Sequence, residues 1–175
     1  MPTIGWDEEQ KKFALFFVSD RKGGYGGKDI WVSHIRFDGV FDDPYPLTFN
    51  TPKDEVTPFF DRKSQTLYFS SNGHKGEGRF DIYYSKKKGD MWDRPENMGR
   101  PYNSGYDDLY FTSHEMSGTA YLTSDRPGSI CNGTATDGWQ CYDVYEILGH
   151  DFNEDVITKK IYKAQNNMAM QYIEN

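Results

Sequence analysis

The chain repeats itself three times, and no other feature of the sequence constrains its fold as strongly. One repeat reads ALFFVSDRKGGYGGKDIWVS from Ala14, and the next reads TLYFSSNGHKGEGRFDIYYS from Thr66. A third begins at Thr119 with TAYLTSDRPGS and ends, after an insertion, with CYDVYEI. Matching residues lie about 50 positions apart, a spacing typical of stacked supersecondary units. The sequence therefore predicts three copies of one structural unit.

Polar residues recur in register within these repeats. A serine closes the first strand-like run of each unit, and an aspartate opens the second, at Asp29, Asp81 and Asp143. Upstream, two acidic pairs correspond, Asp54–Glu55 and Asp107–Asp108. We expect a residue that recurs in every unit to serve the architecture of the unit, because a catalytic residue is needed only once.

Each unit reads as four short strands. Alternating apolar and polar residues, bounded by glycine-rich turns, indicate half-buried strands. The composition agrees, because aromatic residues make up 17% of the chain and their side chains fit a pleated sheet surface. Four short strands per unit are typical of a propeller blade. We therefore predict an all-β fold with blades of four antiparallel strands at about 1–50, 51–104 and 105–150.

The segments LYFSSNG…FDIYYS and AYLTSDRPGS…YDVYEI resemble the TolB-type β-propeller repeat of bacterial cell-envelope proteins. The resemblance covers roughly residues 4–148 and extends to spacing as well as residue type. It implies a β-propeller fold and a location in the periplasm or cell envelope. In relatives, such repeats often precede a peptidoglycan-binding domain of the OmpA type, which this sequence does not show.

Only three units are visible, whereas closed propellers have about 4–8 blades. An unclosed stack leaves the outer faces of its end blades unpacked, because each blade buries its faces against its neighbours. Three explanations stay open. The chain is part of a larger propeller, it completes a ring with another chain, or it stands as an open arc.

The charge of the chain limits the partners that it can bind. Its formal net charge is −7 and its sequence pI is near 5.1, whereas nucleic acids and anionic membranes attract basic surfaces. No apolar run approaches the ~20 residues of a membrane-spanning helix, and the start MPTIGWDEEQ does not read as a signal peptide. We expect no nucleic acid partner and no membrane insertion.

The glycine-rich stretch VSDRKGGYGGKDIWVS can be read as a ligand-binding loop. A phosphate-binding loop needs a helix after its glycines, but strand-like residues follow here. Calcium needs about six to eight oxygen ligands, and only Asp20 and Asp29 flank the loop, so calcium stays an alternative to our prediction of no cofactor. We interpret the loop as structural. The aspartate of each unit would accept hydrogen bonds from turn amides or from a nearby arginine, Arg21 or Arg126.

The acidic pairs raise the alternative of a polysaccharide hydrolase or lyase, since glycosidases use two carboxylates ~5–10 Å apart. Neighbouring residues on a strand point to opposite faces, however, so the two acids of one pair are poorly placed to act together. The histidines do not recur in register, and no Ser/His/Asp or Cys/His set can be assembled. We assign no catalytic residue and no metal ligand.

Aromatic residues raise a second alternative, a sugar-binding lectin. Trp31, Tyr83 and Tyr145 could stack on a sugar ring, but they also recur in register after the aspartates. Recurrence of this kind equally predicts a core between blades.

A cysteine-containing insertion, SICNGTATDGWQC, interrupts the third repeat. It carries Cys131 and Cys141, for which we predict a local disulfide, as suits an oxidising compartment. A pair of reduced cysteines in a cytosolic protein is the alternative. Ile130 and Trp139 are candidate partner contacts, because function in repeat proteins tends to lie where the pattern breaks.

The tail, residues 151–175, is the second irregular segment. Apolar residues at helical spacing predict a short amphipathic helix from about Glu154, with Ile161 and Met168 as candidate partner contacts. A helix that packs on the chain's own blades, or the start of a linker, is the alternative. Taken together, the sequence predicts a non-catalytic protein–protein interaction or scaffold module of the bacterial periplasm or cell envelope. The expected partner is a protein of the cell envelope or a second propeller segment. If a second copy of this chain supplied that segment, the protein would be a homo-oligomer.

Overall fold

Strands make up all the regular secondary structure of the residues described. The computed structural model describes residues 2–114, 117–129 and 141–148, together with the backbone of a strand at 160–163. Within these ranges the chain forms three antiparallel sheets, and neither a helix nor a closed barrel is present. The predicted all-β, open, blade-like fold is confirmed. None of the described residues belongs to a helix that could cross a membrane.

Sheet 1 contains four strands in chain order. They are β1 (Thr3–Asp7), β2 (Lys12–Ser19), β3 (Asp29–Ile35) and β4 (Tyr45–Pro46). Each pairs antiparallel with the next, and Ser19 lies opposite Asp29. The aromatic and β-branched residues of β2 and β3 favour this pairing because they fit the pleated surface.

Sheet 2 repeats the arrangement of sheet 1. Its strands are β5 (Glu55–Asp61), β6 (Thr66–Ser71), β7 (Asp81–Lys88), β8 (Met91–Trp92) and β9 (Glu96–Asn97). Ser71 lies opposite Asp81, as Ser19 lies opposite Asp29 in sheet 1. The short β8 and β9 both pair with β7, so that they share the place that β4 takes in sheet 1.

Sheet 3 corrects the prediction for the tail. Its strands are β10 (Asp108–His114), β11 (Thr119–Ser124), β12 (Asp143–Leu148) and β13 (Lys160–Lys163). The helix predicted from Glu154 is wrong for Lys160–Lys163, which pair antiparallel with β12 as the fourth strand. Pairing satisfies the main-chain groups along the edge of β12. The spacing of apolar residues within the tail carries no information about that edge, so it could not predict the pairing. The rest of residues 151–175 lies outside the described residues.

The first junction joins sheets 1 and 2. Cross-strand partners share a face of a sheet; we call the face toward the following sheet forward and the face toward the preceding sheet backward. Between the forward face of sheet 1 and the backward face of sheet 2, Phe16 packs on Phe60 and Phe49 stacks on Phe69, each with ring centroids 4.9 Å apart. Trp92 packs against this core.

The second junction joins sheets 2 and 3 in the same way. Tyr68 on the forward face of sheet 2 packs on Phe111 of sheet 3 with ring centroids 4.6 Å apart, and Ile82 and Tyr102 belong to the same core. Among the described residues, no strand of sheet 1 contacts a strand of sheet 3. Within the described residues, each sheet therefore packs only against its neighbours in the chain.

Candidate functional site

One end of the stack, which we call the loop end, gathers the glycine-rich loops and the links between sheets. The first link, residues 47–54, runs from β4 to β5, and the second, residues 98–107, runs from β9 to β10. Each glycine-rich loop lies against the link that follows it. The amide of Gly27, for example, donates a hydrogen bond to the carbonyl of Lys53 at 3.0 Å.

The recurring aspartates organise the glycine-rich loops. Asp29 is 1% exposed, and its Oδ2 accepts hydrogen bonds from the amides of Tyr25 and Gly26 at 2.8 and 3.2 Å. Asp81, also 1% exposed, accepts one from the amide of Gly78 at 3.0 Å, and burial raises the pKa of Asp81. The Oδ1 atom of each aspartate is buried and accepts no hydrogen bond from the described residues. Both carboxylates face the interior of a turn and are not presented to solvent.

Two glycines are required where a loop meets a link. A Cβ at Gly26 would lie 2.3 Å from the carbonyl oxygens of Thr51 and Lys53, and a Cβ at Gly78 would lie 1.9 Å from that of Tyr106. These approaches leave no space for a side chain, and glycine is the residue that permits them. In the sequence these glycines suggest a ligand-binding loop. In the structure they allow the main chain of the loop to contact the main chain of the link.

The links carry a repeated motif, NTPKDE in the first and NSGYDD in the second. Asn50 accepts a hydrogen bond from the amide of Ile30 at 3.0 Å and donates one to its carbonyl at 2.9 Å. Asn103 makes the same two bonds with Ile82, at 2.7 and 2.8 Å. Each asparagine takes the place of a main-chain partner beside β3 or β7. Our sequence-based list of site residues omits both, and alignment of the two links would have found them.

The first acidic pair holds the first link in place. Glu55 is 0% exposed and accepts hydrogen bonds from the amide and hydroxyl of Thr51 and from the hydroxyl of Ser71, all at 2.7 Å. Its neighbour Asp54 accepts one from the amide of Lys28 at 2.9 Å. Both carboxylates are therefore engaged in joining sheet 1 to sheet 2.

The second acidic pair does the same at the second link. Asp108 is 0% exposed and accepts hydrogen bonds from the amide and hydroxyl of Ser104 at 2.6 and 2.9 Å, and Arg126 forms an ion pair with it. Asp107 accepts one from the amide of Phe80 at 3.1 Å. The recurrence of these contacts explains the recurrence of the acids in the sequence.

An open cavity of about 370 Å³ lies beside the second acidic pair, and its lining includes Lys53, Arg79 and Asp107. Arg79 reaches two carboxylates, with its Nη2 2.6 Å from Oδ2 of Asp107 and 3.0 Å from Oδ2 of Asp125. The hydroxyl of Tyr142 donates to Asp107 at 2.8 Å, and burial together with this bond raises the pKa of Tyr142 to about 12. Asp107, the one carboxylate among the described residues of the lining, is thus already bound by three donors, those of Arg79, Tyr142 and the amide of Phe80.

Arg126 connects the second link to sheet 3. Its Nε donates to the hydroxyl of Ser124 at 2.9 Å, and its Nη atoms donate to the carbonyls of Pro101 and Tyr102 at 2.9 and 2.7 Å. The same guanidinium forms the ion pair with Asp108. Arg126 thereby binds the second link, β10 through Asp108, and β11 through Ser124.

Arg21 stands at the matching position of sheet 1 but binds less. Its Nε donates to the hydroxyl of Ser19 at 3.0 Å, as Arg126 does to its own serine, and it does not bind Asp29. Its guanidinium lies over the rings of Phe17 and Trp31, at 4.8 and 5.2 Å from the centroids. The described pairing of β1 with β2 reaches only as far as Phe16, so among the described residues none of β1 lies opposite Ser19. Within the described residues, the Nη atoms of Arg21 make no hydrogen bond.

The backward face of sheet 1 has no sheet packed against it among the described residues. Its Leu15, Phe17 and Trp31 correspond by position to buried residues of the other sheets. These are Leu67, Phe69 and Tyr83 in sheet 2 and Ala120, Leu122 and Tyr145 in sheet 3, none of them more than 5% exposed. Leu15 and Phe17 are only partly buried, and their neighbours Ile4 and Phe13 are 55% and 50% exposed. Trp31, whose ring lies beneath the guanidinium of Arg21, is itself 5% exposed. We call Ile4, Phe13, Leu15, Phe17 and Trp31 the head face.

The forward face of sheet 3 forms the other end of the stack. Its central residues are Thr112, Tyr121, Thr123, Val144 and Glu146, which we call the tail face. Tyr121 and Val144 are 37% and 45% exposed, and the hydroxyl of Tyr121 donates to Glu146 at 2.9 Å. The tail face is thus more polar than the head face.

The aromatic residues of the lectin alternative lie in or against sheet faces. Trp31, Tyr83 and Tyr145 are 5%, 2% and 5% exposed, so their rings are not accessible at the surface. Asp143, which opens β12, is 4% exposed. Cys141 is in a disulfide.

The predicted partner contacts belong to the cysteine-containing insertion and to the tail. Ile130, Cys131, Trp139 and Met168 lie outside the described residues. Ile161 belongs to β13 by its backbone, and its side chain lies outside the description.

A buried ionic cluster lies at the opposite end of the first junction. Asp7 is 2% exposed and accepts hydrogen bonds from the amides of Glu9 and Gln10 at 3.0 and 3.1 Å. Its Oδ2 lies 3.1 Å from Nε2 of His34 and is hydrogen-bonded to Lys87 of sheet 2. Burial opposes ionisation of Asp7, but the bonds from Lys87, Gln10 and His34 outweigh it and lower its pKa below 3.8. The cluster joins β1 to β7.

Comparison with known proteins adds no relative to this description. No protein-family model matches the chain, and no curated protein matches it. Across the described ranges, no three His, Cys, Asp or Glu side chains are grouped as a metal site requires. The resemblance to the TolB-type repeat accordingly stays a prediction.

Proposed function

We propose that the protein is a non-catalytic protein–protein interaction module of the bacterial periplasm or cell envelope, built from propeller blades. The head face is the observation that carries this proposal. Its Leu15, Phe17 and Trp31 correspond to positions that sheets 2 and 3 bury between sheets. An exposed apolar patch with polar surroundings is typical of a protein-binding surface.

The acidic residues favour a binding role over a catalytic one. Each carboxylate of the two acidic pairs binds main-chain amides, hydroxyl groups or an arginine within the stack. A general acid or base has to be free to exchange a proton with a substrate. The resemblance of the repeats to the TolB type supports both the propeller and the envelope location.

Site-specific photo-crosslinking tests the proposal. We would replace Phe13, which is 50% exposed on the head face, with a photoreactive phenylalanine analogue and irradiate the protein in an extract of its source cells. Phe37, which is 95% exposed in the loop after β3, is the matched control position. We expect a discrete polypeptide adduct at position 13 that is absent at position 37 and is lost in the Phe17→Glu variant. Equal labelling at both positions, or no adduct at position 13, would contradict the proposal.

A further inference from the structure

We propose that the head face binds the tail face of a second copy of this chain, so that two copies associate head to tail. The inference rests on the proposed interaction function and names its partner. Three observations carry it: the two junctions inside the chain, the composition of the tail face, and the unused donors of Arg21.

The two internal junctions show which surface fits a backward face. In both, a backward face packs on the forward face of the preceding sheet. The head face is a third backward face, with Leu15, Phe17 and Trp31 at the positions that enter the first junction as Leu67, Phe69 and Tyr83. The surface that complements it is therefore a forward face of a sheet of this kind, and the tail face is the one forward face that the described residues leave open.

The tail face keeps the main features of a forward face that is known to pack. On sheet 2, Tyr68 and Ile82 are the central forward-face residues of the second junction. The tail face has Tyr121 and Val144 at the same positions, so an aromatic ring and a β-branched side chain are retained. Both residues are more than a third exposed in the single chain, at 37% and 45%. Burial of these side chains against the head face would remove apolar surface from water on both copies.

Arg21 supplies a polar part of the same surface. The matching residue Arg126 uses its Nη atoms to bind two main-chain carbonyls, those of Pro101 and Tyr102, in the link that arrives from the preceding sheet. The Nη atoms of Arg21 have no such acceptors within the described residues, and Arg21 lies over Phe17 and Trp31 of the head face. A polypeptide that reaches the head face can therefore meet guanidinium donors placed for main-chain carbonyls. The two carbonyl contacts that Arg126 makes at the matching position are the reason to infer a polypeptide occupant.

The proposed contact joins unlike surfaces, which has consequences for assembly. A heterologous contact either closes into a ring or continues as an open chain of subunits. Two copies supply twice the three sheets of one chain, and six blades fall within the range of about 4–8 found in closed propellers. We therefore expect a dimer.

Sedimentation equilibrium of the purified full chain, from about 1 to 100 µM, tests the proposal with three variants. Phe17→Glu blocks the head face, Val144→Glu blocks the tail face, and Phe37→Glu places the same charge on a residue that is 95% exposed outside both faces. We expect the wild type and Phe37→Glu to dimerise, and each blocked variant to dissociate with a constant at least tenfold higher. Urea unfolding of each monomeric variant would verify that it is folded.

Mixing distinguishes head-to-tail contact from other geometries. An equimolar mixture of Phe17→Glu and Val144→Glu retains one intact head and one intact tail, so we expect dimers to reappear in the mixture. A monomeric wild type, a dimer that survives either blocked variant, or a mixture that stays monomeric would overturn the proposal. A monomeric wild type that still yields the adduct at position 13 would overturn this inference and leave the proposed function intact.

Discussion

The two junctions of the stack follow one plan but anchor the link with different residues. At the first junction Glu55 is long enough for its carboxylate to accept a hydrogen bond directly from Ser71. At the second, Asp108 is shorter by one methylene group, and Arg126 joins it to the corresponding Ser124. Both sheets thus keep a connection between the link and the two strands that follow it, β5 and β6 or β10 and β11. The residues that make this connection differ.

The two anchors also differ in charge. Glu55 is held by an amide and two hydroxyl groups, which are neutral donors. Asp108 is part of an ion pair whose arginine side chain is only 13% exposed. Because a buried charge that loses its partner is costly, the two junctions should respond differently to loss of the carboxylate charge.

The largest effect should be the same at both junctions, since each depends on an aromatic core. We expect Phe16→Ala and Phe111→Ala each to lower the free energy of unfolding by about 4 kcal/mol, because each leaves a cavity in a buried cluster. Urea unfolding measures this, with Phe37→Ala at the 95% exposed position as a control that should change little. A loss below about 1 kcal/mol at either core site would show that the corresponding junction is not formed.

Neutralising the carboxylate that anchors each link should lower the free energy of unfolding by different amounts at the two junctions. We expect Asp108→Asn to cost about 3 kcal/mol, because it leaves Arg126 without its counter-charge. Glu55→Gln should cost about 1 kcal/mol, since its donors are neutral and hydroxyl groups can reorient to accept from an amide. The same unfolding assay gives both values, and the reverse order would refute the distinction drawn between the anchors.

Substitutions at the contacts between loops and links should destabilise the two junctions by similar amounts. A methyl group added at Gly26 or Gly78 meets main-chain carbonyls within 2.3 Å, so we expect Gly26→Ala and Gly78→Ala each to cost about 2 kcal/mol. Gly105 provides a control within the second link, because a Cβ there would meet nothing within 4 Å. If Gly105→Ala were as harmful as the other two substitutions, close approach would not be the cause.

The smallest expected effect is a dependence on pH that the Asp7 cluster confers on the first junction. The pKa of Asp7 is lowered in the folded chain, so its contribution is present above the ordinary value of 3.8 and is lost as pH falls through the lower folded value. Urea unfolding between about pH 2 and 6 should show a shallower acid loss for Asp7→Asn than for the wild type. The exposed Asp38→Asn should keep the slope of the wild type, and an unchanged slope in Asp7→Asn would contradict the role of the cluster.

The repeated part of the fold was predictable because local patterns determine it. Alternation along β2, β6 and β11 specifies strands, and the recurrence of Asp29 and Asp81 follows from the turns that these residues organise. The strand at 160–163 was not predictable from its own residues, since the free edge of β12 decides its pairing. The difference between Arg21 and Arg126 was not predictable either, because it depends on which neighbouring residues reach each arginine. Among the described residues, a link reaches Arg126 from sheet 2 and none reaches Arg21.

Contact between successive sheets alone, with none between sheets 1 and 3 in the described part of the chain, means that resistance to unfolding varies along the stack. Within the described residues, sheet 2 packs against a neighbour on both faces, whereas sheets 1 and 3 each share a single junction. Local opening in such an array begins at an end and can proceed one unit at a time. A protease that removed sheet 3 would leave sheets 1 and 2 with their shared core intact. Loss of sheet 2 would expose both apolar cores to solvent.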